Sequence, residues 1–153
     1  MKIKEKEIVF NKKIPFDYEI KERFEAGIVL KGPEVKSVKE GQVNLKNSYA
    51  VFHKDEIYLI GLYIAPYRKA GLLLKDYNPE RPRKLLLRKE EINYLKGKLQ
   101  ERGLTLLPLR VYTKGSLIKI ELVLGKGRKK IDKRELIKKR EAKRRIKLIK
   151  RSF

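Results

Sequence analysis

The chain has no cysteine, one histidine and one methionine in 153 residues. Without cysteine it can form no disulfide, no thiolate nucleophile and no cysteine–zinc site. The single histidine, His53, ends a strand pattern beside a turn, where an ordinary edge residue is expected. Ser37, Ser48 and Ser116 lack the G-x-S-x-G setting of a nucleophile. Glu90-Glu91 is explained by helix-start electrostatics, and carboxylates do not cluster with the spacing of a metal site. Gly125-Lys126-Gly127-Arg128-Lys129 has neither the spacing of a P-loop nor its following Ser or Thr. No catalytic residue, metal ligand or cofactor is expected, and the chain does not read as an enzyme. No run approaches about 18 apolar residues, so no membrane span is expected. The stretch 1–7 lacks the apolar core of a secretory signal. A cytoplasmic location is the expectation.

What the chain has in excess is positive charge: 41 Lys and Arg against 19 Asp and Glu, a net +22. Residues 126–153 hold fifteen of those cations, opposed only by Asp132, Glu135 and Glu141, so the segment carries +12. A cationic extension on a small body points to a polyanion, because neutralised phosphates release their condensed counterions.

Residues 1–125 are long enough for one core and read as β-rich. Ile8-Val9-Phe10 is a short strand, and the run from Tyr18 to Leu30 is a strand interrupted at Ala26-Gly27. Residues 32–41 read as a helix, with Pro33 in its first turn and Gly41 as its stop. Strands are expected over 48–53 and 56–64 around the turn Lys54-Asp55. Residues 65–84, punctuated by Pro66, Gly71, Pro79 and Pro82, read as a long loop. A helix is expected over about 88–101, with Ile92, Leu95 and Leu99 on one face. A hairpin follows, with Leu107, Leu109 and Val111 alternating on one strand and Ile118, Ile120, Leu122 and Leu124 on the other. That phase puts Lys119 and Glu121 on the opposite face, in water. Gly125-Lys126-Gly127 is expected to break the last strand. The pattern predicts a mainly β fold with small α content: an oligonucleotide-binding-type antiparallel β-barrel with two or three short helices.

The tail carries Asp132 and Glu135 at capping-box spacing, and Ala142, Ile146, Ile149 and Phe153 on one helical face. Like-charged neighbours such as Lys139–Lys143 and Arg140–Arg144 each oppose that helix by roughly 0.2–0.5 kcal/mol. The expectation is two units: a body over 1–125, and a tail over 126–153 that is disordered when free and helical against RNA. Composition alone leaves several RNA binders open, including a ribosomal protein or a general RNA chaperone.

Four ordered blocks narrow the choice. They are Asn11-Lys12-Lys13 with Asp17-Tyr18-Glu19-Ile20; the stretch 25–32 with 34–37; the stretch 78–87; and Lys126-Gly127-Arg128-Lys129 with Asp132-Lys133-Arg134-Glu135. Spread over about residues 8–145, they resemble the small protein B family, whose members bind tmRNA (SsrA RNA). The resemblance implies a monomeric, non-catalytic protein that grips the tRNA-like domain of tmRNA at its elbow. It implies ribosome rescue by trans-translation, with alanyl-tRNA synthetase and elongation factor Tu acting through tmRNA. The tail would occupy the empty mRNA channel near the decoding centre. By position, the resemblance implies tmRNA contacts for Asn11, Glu25, Leu86 and Lys119, with Lys12, Arg83 and Lys84 adding phosphate contacts. On the ribosome it implies roles for Lys126, Arg128, Lys129, Lys130, Ile131, Asp132, Lys133 and Arg134. Ile131 stands where many relatives carry a stacking aromatic or histidine, and Pro33 where Thr is common.

Overall fold

The computed structural model describes residues 3–69 and 76–129 and, within the tail, Arg134, Ile137, Lys138, Arg140 and Glu141. The chain runs β1 (Glu5–Phe10), α1 (Lys13–Asp17), β2 (Tyr18–Ile28), α2 (Gly32–Lys39), β3 (Val43–Asn44), β4 (Tyr49–His53), β5 (Glu56–Ile60), β6 (Tyr63–Ile64), β7 (Arg83–Leu86), α3 (Lys89–Lys98), β8 (Leu104–Lys114) and β9 (Leu117–Gly127). Seven strands form one antiparallel sheet in the order β1-β8-β9-β2-β7-β5-β4, and β3 pairs with β6 separately. The sheet curls until β4 lies against β8, without a hydrogen-bonded ladder between them. The fold is mainly antiparallel β with a few helices.

The inner face of the curl holds the main core, which includes Ala26, Ile57, Leu59, Leu85, Val111, Ile120, Leu122 and Leu124. Leu95 of α3 is buried there with Ile92 and Leu99 beside it, the face expected from their spacing. Glu91 closes the start of α3 by accepting the Arg88 amide at 3.2 Å. Val38 brings α2 onto the same core.

The outer face is divided by bulges. In β2 the register slips between Ile20 and Glu22, so Tyr18 and Ile20 face outward while Phe24 and Ala26 face the core. In β8 the register slips between Pro108 and Arg110. Leu107 and Leu109 therefore turn outward and Val111 inward, so the three do not share the single face that strict alternation predicts. The outward residues form a second apolar cluster with Val123, capped by Ile14 of α1. Helix α1 is absent from the sequence reading because it is only five residues long. The Asn11 side chain starts it, Oδ1 accepting the Lys13 amide at 3.1 Å, and Pro15 suits a first turn.

Three other expectations are corrected. The Ala26-Gly27 pair does not interrupt β2, which is continuous to Ile28. Gly125 does not break β9, which runs on to end at Gly127; glycine at 125 suits the close approach of Tyr18, whose Cβ lies 3.2 Å from where a Cβ at Gly125 would stand. The stretch 65–84 read as loop runs into the first two residues of β7, whose Leu85 joins the core.

Candidate nucleic-acid interface

Helix α1 covers one end of the outer face and leaves the other end open. Two cross-strand rows form that open plateau. One runs Phe10–Arg110–Glu121–Glu25 across β1, β8, β9 and β2. The next runs Glu7–Tyr112–Lys119–Gly27–Leu86 across β1, β8, β9, β2 and β7. Register partners share a face, so these side chains stand together.

The second row makes a cleft of about 500 Å³ with Gly27 as its floor and Glu25, Leu86 and Lys119 around it. Arg88 and Glu91 stand at its rim from the start of α3. Gly27 matters because it has no side chain: a Cβ there would meet Leu86 Cβ at 3.3 Å. Leu86 is 50 % exposed, an apolar wall beside an ammonium and a carboxylate. Such a cleft can seat a nucleobase, with the leucine on its face and polar groups at its edges.

Glu25 is held rather than loose. The Tyr112 hydroxyl donates to its Oε2 at 2.5 Å, and the Lys114 ammonium lies 3.4 Å from both oxygens. The Tyr112 bond, with Lys114 adding to it against partial burial, lowers the carboxyl pKa and keeps it ionised. Burial and the Glu25 bond raise the Tyr112 pKa, so the phenol remains a donor. The Arg110 guanidinium stacks 4.1 Å from the Tyr112 ring centroid, and Glu121 accepts from Arg110 Nε at 2.6 Å and from Arg23 at 2.7 Å. Glu121 is thus paired and largely covered, not in open water as its strand phase alone implies.

The structure places the other sequence-predicted residues as follows. Asn11 and Lys12 lie beyond β1 in a separate cleft with Lys13, Asn44 and Lys46. Lys84 shares the outer side of β7 with Leu86, its ammonium 3.0 Å from Glu56. Arg83 is a correction: it is fully buried and cannot reach a phosphate. Its guanidinium donates to Glu34 at 2.7 and 3.0 Å, to the Tyr77 hydroxyl at 3.0 Å, and to the carbonyls of Pro79 and Leu62. Arg81 is bound to the same Glu34. The basic run around the prolines is therefore partly an internal clamp joining α2 to β7.

At the tail root, Lys126 is exposed within β9 and Lys129 is exposed beyond it. The Arg128 amide donates to Asp17 O at 2.8 Å and its Nε to Pro15 O at 3.3 Å, tying the root to α1. Arg134 is helical and exposed, and the Arg140 guanidinium stands 5.4 Å from the Phe16 ring centroid. Lys130, Ile131, Asp132 and Lys133 lie outside the described residues. Among the described residues no group of acids and His could hold a metal, and no helix is long and apolar enough to cross a membrane.

The family model described as SmpB protein matches residues 8–152. The chain belongs to the SmpB family. Curated relatives in that family include the SsrA-binding protein of Syntrophobacter fumaroxidans, 53 % identical over 89 % of this chain and 83 % of that protein. The SsrA-binding protein of Carboxydothermus hydrogenoformans is 50 % identical over 93 % of this chain and 94 % of its own. A solved SmpB chain, described with the words "tmRNA-SmpB: a journey to the center of the bacterial ribosome", is 46 % identical, with a TM-score of 0.65 over 80 % of this chain and 85 % of that one.

Proposed function

We propose that this protein binds tmRNA through its tRNA-like domain and brings it to stalled ribosomes in trans-translation. The observation that carries the reading is the convergence of Glu25, Leu86 and Lys119, distant in sequence, around the glycine-floored cleft. The relatives named SsrA-binding protein and the SmpB chain solved with tmRNA support it. In this reading the curled sheet is an oligonucleotide-binding-type barrel that presents the plateau to the RNA elbow. Asn11 and Lys12 add contacts from the neighbouring cleft, and Lys84 contributes charge once released from Glu56.

The tail from Lys126 onward fills a message-free mRNA channel, where rRNA phosphates cancel the repulsion among its own cations. Message and tail compete for one space, so steric exclusion reports the missing message. Alanyl-tRNA synthetase and elongation factor Tu act through tmRNA. The protein works as a cytoplasmic monomer and catalyses nothing itself.

The test is competition between the tRNA-like domain and ordinary tRNA at physiological salt. The expected result is a clear preference for the tRNA-like domain that is weakened by Lys119→Ala. Equal affinities would leave only a general RNA binder.

A further inference from the structure

The cleft between the end of β1 and the β3–β4 turn has a volume of about 290 Å³, and its lining includes Lys12, Lys13 and Lys46 but no carboxylate. None of the three ammonium groups pairs with an acid of the described residues. This contrasts with the Glu25 plateau, where most cations already have a carboxylate beside them.

Two asparagines complete the cleft. Asn11 Oδ1 accepts the Lys13 amide at 3.1 Å, and Asn44 Oδ1 accepts the Lys46 amide at 2.8 Å. With each oxygen turned back on its own chain, the Nδ2 groups remain as donors. Neither meets an acceptor of the described residues. The side chains therefore present three cations and two amide donors and no free side-chain acceptor. That set suits a phosphodiester, which only accepts hydrogen bonds. An acidic peptide would bring backbone N–H groups that need acceptors.

The frame is firm. Leu45, between Asn44 and Lys46, is buried in the main core, and its carbonyl accepts from the Ser48 hydroxyl at 2.5 Å and amide at 3.1 Å. On the other wall the Asn11 amide donates to Leu109 O at 2.8 Å. Phe10, 38 % exposed, adds an apolar edge. Phe10 also begins the row that ends at Glu25. Three strand spacings separate them, about 14 Å. One folded RNA can touch both sites.

We propose that Lys13, Asn44 and Lys46, with Asn11 and Lys12, form a phosphate subsite for the backbone of the RNA whose elbow occupies the Glu25–Leu86–Lys119 cleft. The subsite rests on the functional reading above and names contacts that extend it to the β3–β4 turn.

The probe is a transcript of the tRNA-like domain, titrated across a range of KCl against the full-length chain. The double variant Lys13→Ala/Lys46→Ala is expected to lose about tenfold in affinity at physiological salt. The slope of log affinity against log salt should become shallower by roughly 1 to 2. Lys13→Arg/Lys46→Arg is expected to restore both. Asn44→Asp keeps the oxygen that the Lys46 amide needs but replaces the outward donor with an anion, so it too should lose about tenfold or more with an unchanged thermal melt. Lys119→Ala, run in parallel, reports the functional reading independently. If Lys119→Ala weakens binding while the double variant and Asn44→Asp leave affinity and slope unchanged, the subsite is wrong and the reading stands. If the wild-type chain shows no preference for the tRNA-like domain over tRNA, the reading fails and takes the subsite with it. A loss seen only with message-free ribosomes assigns the phosphates to rRNA and also overturns the proposal.

Discussion

Glu34 holds two guanidinium groups at once and shows how a charge that belongs inside differs from one that faces RNA. Burial pushes its pKa up, but the hydrogen bonds from Arg81, the Lys31 amide and Arg83 outweigh that and bring it down to about 2. A carboxyl depressed in the folded state stabilises fully above its ordinary range, and that contribution is lost as pH falls through about 2. Glu34→Gln removes the charge that two buried or half-buried cations need. The expected cost is roughly 3 kcal/mol at neutral pH, since leaving buried charge unpaired is expensive. Urea melts at pH 7 and pH 3 would check it: the wild-type and variant stabilities should draw closer in acid. In the sequence Glu34 looks like an ordinary helix-start acid and Arg83 like one more basic loop residue. Only the fold reveals that they meet across 49 positions.

Gly27 makes the opposite case, since its strand position was visible and its purpose was not. A glycine within a strand pattern signals a bend or a close approach. The strand is continuous there, without a register shift, and the approach is the side chain of Leu86. Gly27→Ala asks exposed Leu86 to yield by a few tenths of an ångström. Stability should change by less than about 1 kcal/mol, because alanine also reduces unfolded-state freedom. Affinity for the tRNA-like domain should nonetheless fall several-fold, since the methyl group raises the cleft floor. An unchanged affinity with an unchanged melt would mean that no base enters there.

At the scale of elements, the bulges in β2 and β8 decide what the outer face can do. Alternation correctly gave the inward phase of β9, which has no irregularity, and hence the outward position of Lys119. It failed in β8, where one extra residue moves Leu109 outward and lets Arg110 and Tyr112 join the polar plateau. An inserted residue leaves no mark in a hydrophobic pattern that is apolar on both sides, as 106, 107 and 109 are. The strand β7 is hidden for another reason: Pro79 and Pro82 stand just before it, and its four residues are too few to outweigh their turn signals.

The tail carries both tendencies within one element. Its apolar spacing favours a helix, and its like-charged neighbours oppose it. A peptide of residues 126–153 should show weak helicity by circular dichroism at low salt and gain helicity when RNA is added. Strong helicity at low salt without RNA would contradict the idea that phosphates supply the missing stabilisation.

Across the whole molecule, charge and shape perform separate tasks. A net +22 favours any polyanion, and that attraction carries no sequence information. Discrimination has to come from the body, where most plateau charges are paired and the cleft has a defined floor. Cutting after Lys129 separates the two. It leaves β9 intact, together with the ties from Arg128 to Asp17 and Pro15, so the thermal melt should hardly move. It removes nine of the twenty-two net charges, leaving +13. Ordinary tRNA, bound mainly through screened attraction, should lose the larger fraction of its affinity, and the tRNA-like domain the smaller. The preference between them should therefore rise on truncation, while tagging on stalled ribosomes should stop. If truncation instead lowers the preference, the tail takes part in recognising the RNA, and the division between a discriminating body and an attracting arm is wrong.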